Sequence, residues 1–381
     1  MNRWAKILLA VAVVAAIGAL YLFNPRLPFP KGEQSAVLYR PGAFGVESHS
    51  LELVDTSRAT KANGEFEGSP ERRLEGSLWY PELQSRQPFP LIVYSHGFMS
   101  SAAEAEYLAE FLVPKGYILV AVNYPLSTGG APGGPTVTDV INQAGDVSFI
   151  IDGVLARNLD EDDELYGLVD SSRIAAVGLS LGGLTTHLAG FHRDARDERL
   201  SAAVSIAGPS AVLERTFFET ANIPFMMIAG SSDAIVPYQA NAAPIPSKVD
   251  DSLLVTLDRG SHTGFAGIAS VLFRWFHHPD ELVCPLLLDG LSSEGNQAEP
   301  MLVPDPRLGI SNSNVVPCTM ETFDRAMRPA EQQMLTRLAV YAFLESVFAA
   351  DTERRQQMEA YLRTVFAQEN FAAQVDFAPG R

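Results

Sequence analysis

Six residues, Gly178-Leu179-Ser180-Leu181-Gly182-Gly183, lie between the apolar run Ile174-Ala175-Ala176-Val177 and a stretch of helical pattern that begins at Leu181. G-x-S-x-G with a strand before it and a helix after it presents a serine hydroxyl on a sharp turn. The glycines remove side chains that would clash across that turn. The start of the helix brings amide donors and partial positive charge beside the hydroxyl. The chemistry this arrangement serves is nucleophilic attack by Ser180.

Such a serine needs a base to take its proton. His187 and His192 ride the helix that runs away from Ser180, and His277 and His278 end a helical stretch beside an irregular segment. His262 sits in the glycine-bounded loop Arg259-Gly260-Ser261-His262-Thr263-Gly264-Phe265, directly after the apolar run Leu253–Leu257, and is the expected base. The orienting acid is expected to close the preceding strand. There Phe225–Ala229 runs into Gly230-Ser231-Ser232-Asp233, so Asp233 is expected to hold the imidazole in the productive tautomer. Asp258, four residues before His262, is its competitor. Charge developing on a carbonyl oxygen needs backbone donors. The amide of Leu181 is one, and the amide of Phe98, in Ser95-His96-Gly97-Phe98 after the run Leu91–Ser95, is the expected second. The ring of His96 is expected to fix that loop. Ile235, Val236 and Phe265 flank the acid and base and are expected to supply apolar wall, with the loop Ser127–Pro135 bordering the cleft.

Elements must hold these loops at one rim. Strands are expected at Val46–Val54, Leu74–Trp79, Leu91–Ser95, Ile118–Asn123, Ile174–Gly178, Ala203–Ile206, Phe225–Ala229 and Leu253–Leu257. Several are continuous apolar runs, as strands buried on both faces require. Helical stretches near Ala103–Pro114, Val137–Arg157, Leu181–His192 and Phe265–His277 alternate with them. The result is an α/β fold with a mostly parallel central sheet flanked by helices, its first two strands forming an antiparallel edge. Residues 279–329, rich in Pro, Gly, Asn and Ser, read as an inserted lid or excursion. Two helical segments, Ala330–Ala349 and Thr352–Asn370, and a polar tail follow it. The expected organisation is therefore residues 1–30 as a leader, 46–278 as the core, 279–329 as the insertion and 330–371 as C-terminal helices.

Composition narrows the partners. The 381 residues carry 28 basic and 45 acidic side chains and a formal net charge of −17, which argues against nucleic-acid binding through phosphate neutralisation. Nothing in the chain calls for a metal or a cofactor; the acidic run Asp160–Glu164 lacks the spaced ligands and glycine of a calcium loop. Arg3 and Lys6 precede the apolar run Ile7–Phe23, the pattern of an export signal or of an uncleaved anchor in a membrane. The reading favours an anchor, with the rest of the chain exported to the periplasm or beyond the cell. In an oxidising compartment Cys284 and Cys318 form a disulfide pair; two unpaired buried thiols are the alternative.

From Val46 to His277 the chain resembles the α/β-hydrolase superfamily. The likeness rests on the Ser95–Phe98 loop, the Gly178–Gly183 turn, the Asp233 loop and the Gly260–Phe265 loop. Within the superfamily it looks most like the exported branch of dienelactone hydrolases, cutinase-type polyester hydrolases and platelet-activating-factor acetylhydrolases. Dienelactone hydrolases proper use a cysteine where this chain has Ser180, and residues 279–329 lie outside the short cutinase pattern. The resemblance implies a cofactor-free serine hydrolase that cleaves small or lipid-like esters through an acyl-enzyme. An amidase or peptidase using the same three residues, and a membrane-tethered binding protein without chemistry, are the competing readings.

Overall fold

A computed structural model describes residues 28–82, 87–292, 300–312 and 315–379. The apolar run Ile7–Phe23, read above as an anchor or export signal, lies outside the described residues. Among the described residues no helix is long and apolar enough to cross a membrane.

Nine strands form one sheet: β1 (Gly45–Asp55), β2 (Arg72–Glu82), β3 (Phe89–Ser95), β4 (Ile118–Asn123), β5 (Val169–Leu179), β6 (Leu200–Ile206), β7 (Phe225–Gly230), β8 (Ser252–Leu257) and β9 (Ala373–Phe377). Their spatial order is β1-β2-β4-β3-β5-β6-β7-β8-β9. From β4 to β8 every pairing is parallel; β1 and β2 make the expected antiparallel edge, and β9 closes the far side antiparallel to β8. Every residue of β3, β7 and β8 is buried. A parallel strand covered on both faces has no room for polar alternation, which is why these segments read as nearly continuous apolar runs. On the edge strand β1, by contrast, the first six residues are exposed.

The principal helices are α1 (Glu33–Tyr39), α2 (Glu106–Leu112), α3 (Val140–Leu159), α4 (Leu181–Phe191), α5 (Pro279–Leu291), α6 (Pro329–Phe348) and α7 (Thr352–Ala360). Strand alternation divides the core. Ile92 and Tyr94 of β3 join the apolar cluster that takes in α2 and α6, whereas Leu91 and Val93 join the cluster of α3 and α4. Helix α6 shows why the chain needs its C-terminal part. It is buried along most of its length, Leu338 to Leu344 with almost no exposed surface except at Tyr341.

Three expectations need correction. Phe265–His277 is not one helix: it begins at the end of a short 3-10 turn, Thr263–Phe265, and holds a single helical turn at Ala269–Leu272, with Gly267 interrupting the pattern. The 279–329 segment is not wholly irregular, because its first thirteen residues are α5. Pro279 stands in its first turn with Asp280 and Glu281, a strong start signal. The polar tail contains β9. Ala373, Val375 and Phe377 alternate with Gln374 and Asp376, a half-buried pattern that pairs with β8. Cys284 and Cys318 are joined in a disulfide, their Cα atoms 5.7 Å apart. Closing a loop of this length contributes about 3–4 kcal/mol on the chain-entropy view.

Candidate active site

Parallel strands deliver their C-terminal ends to one rim, where ligand sites of open α/β sheets form. β3, β5, β7 and β8 end there, followed by the Phe98 loop, Ser180, the Asp233 loop and the His262 loop.

Ser180 has φ 56° and ψ −119°, a conformation reserved for turns held rigid by their surroundings. The strand-to-helix turn is so tight that a Cβ on Gly178 would lie 2.1 Å from the carbonyl oxygen of Gly182. One on Gly182 would lie 1.9 Å from that of Ser95. No side chain fits at either place. The Ser180 amide donates to the Ile206 carbonyl at 2.8 Å, which pins the turn to β6.

His262 Nε2 lies 2.8 Å from Ser180 Oγ, and its Nδ1 lies 2.7 Å from Asp233 Oδ2. The other oxygen of Asp233 accepts the amides of Ile235 at 2.9 Å and Val236 at 2.7 Å, so the acid is oriented before it meets the ring. Asp258, the competitor, faces solvent and pairs with Arg259 at 3.5 Å. Burial disfavours the charged imidazolium of His262. The Asp233 carboxylate outweighs it, with Asp280 and Glu104 adding to the effect, and raises the pKa above the ordinary value. Among the other histidines, His187 is buried against Phe218 and Phe225, and burial lowers its pKa to about 3. It stays neutral and away from Ser180.

The Phe98 loop is braced on both sides of its central amide. The Gly97 amide donates to Glu104 Oε1 at 3.0 Å and the Met99 amide to the Ser127 carbonyl at 2.9 Å. Met99 itself takes φ 62°. Between them the Phe98 amide has no protein acceptor among the described residues, and Leu181 opens α4, where amides lack intrahelical partners. The His96 ring fixes the same loop: Nδ1 donates to the Gly97 carbonyl at 2.7 Å and Nε2 accepts the Tyr124 amide at 3.1 Å. Burial lowers its pKa to about 4, so it remains neutral.

Beside Ser180 lies a cavity of about 360 Å³. Phe98, Leu181, Ile235 and Val236 line it, and so do Leu287 and Leu291 of α5 and Met301, Leu302 and Val315. Phe265 does not wall it; it is fully buried in the cluster of α2 and α6, because the 3-10 turn after His262 directs it inward. Nor does the Ser127–Pro135 loop border this cavity. Thr128, Gly129 and Gly130 line a separate cavity of about 730 Å³ between Met99–Ala103 and Ala266–Val271. The Thr128 hydroxyl and the Gly129 amide bond the Ser100 carbonyl at 2.8 and 2.9 Å, so this loop buttresses the Phe98 loop.

Two site carboxylates escape a reading of motifs alone. Glu104 also accepts the Tyr94 hydroxyl at 2.9 Å, and burial raises its pKa against its hydrogen bonds. No local pattern marks it. Asp280, fully buried, bonds the backbone of the acid and histidine loops. Its only sequence signal is its place in the first turn of α5.

A family model described as PETase, PET hydrolase-like, matches residues 55–275, more than half of the chain. A bis(hydroxyethyl) terephthalate hydrolase of Streptomyces coelicolor is 22% identical over 314 residues, spanning 77% of this chain and 90% of that protein. A ferulic acid esterase structure from Streptomyces cinnamoneus covers 85% of this chain and 93% of its own, at 20% identity and a TM-score of 0.51, and shares the fold. With the sheet order, the turn at Ser180 and the sequence match all agreeing, the chain belongs to the PET hydrolase-like family of α/β-hydrolases, enzymes that act on esters.

Proposed function

We propose that Ser180, His262 and Asp233 act as a catalytic triad that cleaves carboxylic esters in two acyl-transfer steps. The observation that carries this reading is the continuous contact from Ser180 Oγ through both ring nitrogens to Asp233, at 2.8 and 2.7 Å. Ser180 Oγ attacks the ester carbonyl carbon while its proton passes to His262 Nε2, and the oxyanion is held by the amides of Phe98 and Leu181. Collapse of the intermediate breaks the bond to the alkoxy oxygen, which leaves as the alcohol with the proton from His262. Water, deprotonated by the same ring, then attacks the acyl-enzyme, and the acid and free Ser180 are regenerated.

The cavity at Ser180 suits a compact apolar or aromatic acyl group. Its walls are aliphatic side chains and prolines, with few polar groups. The relatives point the same way, since one is named for a terephthalate ester and another for ferulic acid esterase activity. In this reading α5 and the described residues between Pro300 and Pro317 cover the pocket. The disulfide fits an oxidising compartment, and Ile7–Phe23 is the segment that would direct export.

Two measurements test the reading. An organophosphonate is expected to label Ser180 stoichiometrically, and hydrolysis is expected for bis(hydroxyethyl) terephthalate and p-nitrophenyl benzoate in preference to p-nitrophenyl palmitate and to matching anilides. No labelling returns the chain to the class of binding proteins, and equal rates on anilides would make it an amidase. The pH dependence follows from the His262 environment. A base must be neutral, and its pKa is raised above the ordinary 6.5, so kcat/KM is expected to fall as pH drops through a value above 6.5. An acidic limb below 6.5 would contradict the net upward pull of the Asp233 carboxylate on His262.

A further inference from the structure

One buried carboxylate outside the triad holds the backbone beside two of its members. Asp280 Oδ2 accepts the amides of His262 at 2.9 Å and Ala234 at 3.1 Å, and Oδ1 accepts the amide of Thr263 at 2.7 Å. Ala234 directly follows the acid Asp233, so one side chain spans the gap between the loop after β7 and the loop after β8. Those loops otherwise meet chiefly through the ring contact itself and through the Ser232 amide on the Gly260 carbonyl and the Arg259 amide on Ser231 Oγ.

The same residue is gripped through its carbonyl as well. The carbonyl of Ala234 accepts the Cys318 amide at 2.7 Å, and Cys318 is bonded to Cys284. Cys284 lies four residues after Asp280 on α5, on the same helical face. Carboxylate, helix, disulfide and Cys318 amide thus close a ring around Ala234. His278 adds a further tie, its Nε2 donating to the Ser232 carbonyl at 3.0 Å, and the Met327 amide donates to the Arg259 carbonyl at 2.7 Å. Helix α5, which lends Leu287 and Leu291 to the pocket wall, is therefore also part of the back support of the acid and base loops.

Building on the triad reading, we propose that Asp280 is a positioning residue for ester hydrolysis, setting the distance and angle between Asp233 and His262 through their backbones. It touches neither Ser180 nor the substrate cavity. A carboxylate is required at this point because three N–H groups converge on two oxygens. An amide offers one acceptor oxygen and turns an NH2 group toward the remaining donor. The start of α5 supplies the partial positive charge that tolerates a buried anion there.

The test is Asp280→Asn, which keeps the size and removes the charge and one acceptor. With active sites counted by phosphonate titration, kcat on p-nitrophenyl benzoate is expected to fall about 10–100-fold, the range set by ångström-scale misplacement of catalytic groups, with KM little changed. The carboxylates whose charge acts on the His262 ring are Asp233 from the β7 loop, in contact with it, and, without contact, Asp280 from α5 and Glu104 from the segment before α2. Loss of one of these carboxylates is expected to move the acidic limb of the pH profile downward. An unchanged kcat per titrated site and an unchanged limb, with only a lower Tm, would mean a purely structural carboxylate and would overturn the proposal. If Asp280→Asn does not fold, reducing the Cys284–Cys318 bond in the wild-type enzyme loosens the other end of the same grip. There a lowered kcat supports the proposal and an unaltered one overturns it. Ser180→Ala measured alongside separates the two readings. Full activity in that variant removes the triad itself, whereas its inactivity beside a fully active Asp280→Asn removes only the role given to Asp280.

Discussion

Ser180→Ala is expected to lose about 10⁴–10⁶-fold in kcat while its unfolding midpoint stays close to that of the wild type, the loss being typical of removing the nucleophile from such a unit. The two halves of this expectation have separate causes. Attack on the carbonyl needs an oxygen nucleophile, and no second hydroxyl is within reach of His262 Nε2 among the hydrogen bonds of the site. The fold does not depend on that oxygen, whose hydrogen bond runs to a ring already anchored by Asp233 at 2.7 Å. What holds the turn is backbone and glycine: the Ser180 amide on the Ile206 carbonyl and the missing Cβ atoms of Gly178 and Gly182. Alanine can keep all of these at φ 56°, with the same strain as serine. Initial rates on a nitrophenyl ester and a urea titration of the same preparation check both halves. A variant that is folded and still active would mean that Ser180 is not the nucleophile.

The largest loss of stability is expected for Arg72→Met, at about 3–5 kcal/mol, because it strands buried carboxylates. Arg72 opens β2 and is 1% exposed. Its guanidinium is shared between two acids: Nε and Nη2 donate to Asp146 at 2.9 and 2.6 Å, and Nη1 and Nη2 donate to Asp139 at 3.2 and 2.9 Å. Asp146 lies inside α3 with no exposed surface, and burial raises its pKa against the pull of the arginine. Arg58, 2.9 Å from Asp146, compensates only in part. The cost is therefore expected to shrink at low pH, where the stranded acids take up protons. It is also expected to be largely recovered in the triple variant Arg72→Met, Asp139→Leu, Asp146→Leu, which removes the buried arginine with both of its acids and leaves Arg58 paired with Asp55. A urea midpoint unmoved in Arg72→Met would show that the network contributes nothing to stability.

Much of this architecture is written in short windows of the chain. A parallel strand covered on both faces must be apolar at nearly every position, so β3, β4, β7 and β8 announce themselves within six or seven residues. The turn at Ser180 is equally local, since Gly178 and Gly182 are dictated by backbone atoms of their immediate neighbours and of β3. Elements governed by weaker or mixed patterns read less well. Pro285 inside α5 and a stretch rich in loop-forming residues after it mask a thirteen-residue helix, although Pro279-Asp280-Glu281 is a sound start signal. Phe265–His277 carries an apolar pattern without a continuous helix behind it, because Gly267 and the close packing of the His262 loop on α6 win over periodicity. There the Gln332 side chain bonds both the amide and the carbonyl of Ser261, at 3.1 and 2.6 Å.

From the sequence alone came the chemistry-bearing residue types, the order in which they occur, and the parallel sheet that carries their loops to one rim. Each of these depends on side-chain character repeated over a few neighbouring positions, which a linear reading captures. The tertiary structure alone decided that Phe265 turns into the core, that β9 closes the sheet, and that Asp280 and a disulfide clasp Ala234 from both sides. These depend on contacts between residues tens to hundreds of positions apart, where burial removes water as a partner and forces each buried amide and carboxylate to find another. No local pattern records which partner that will be.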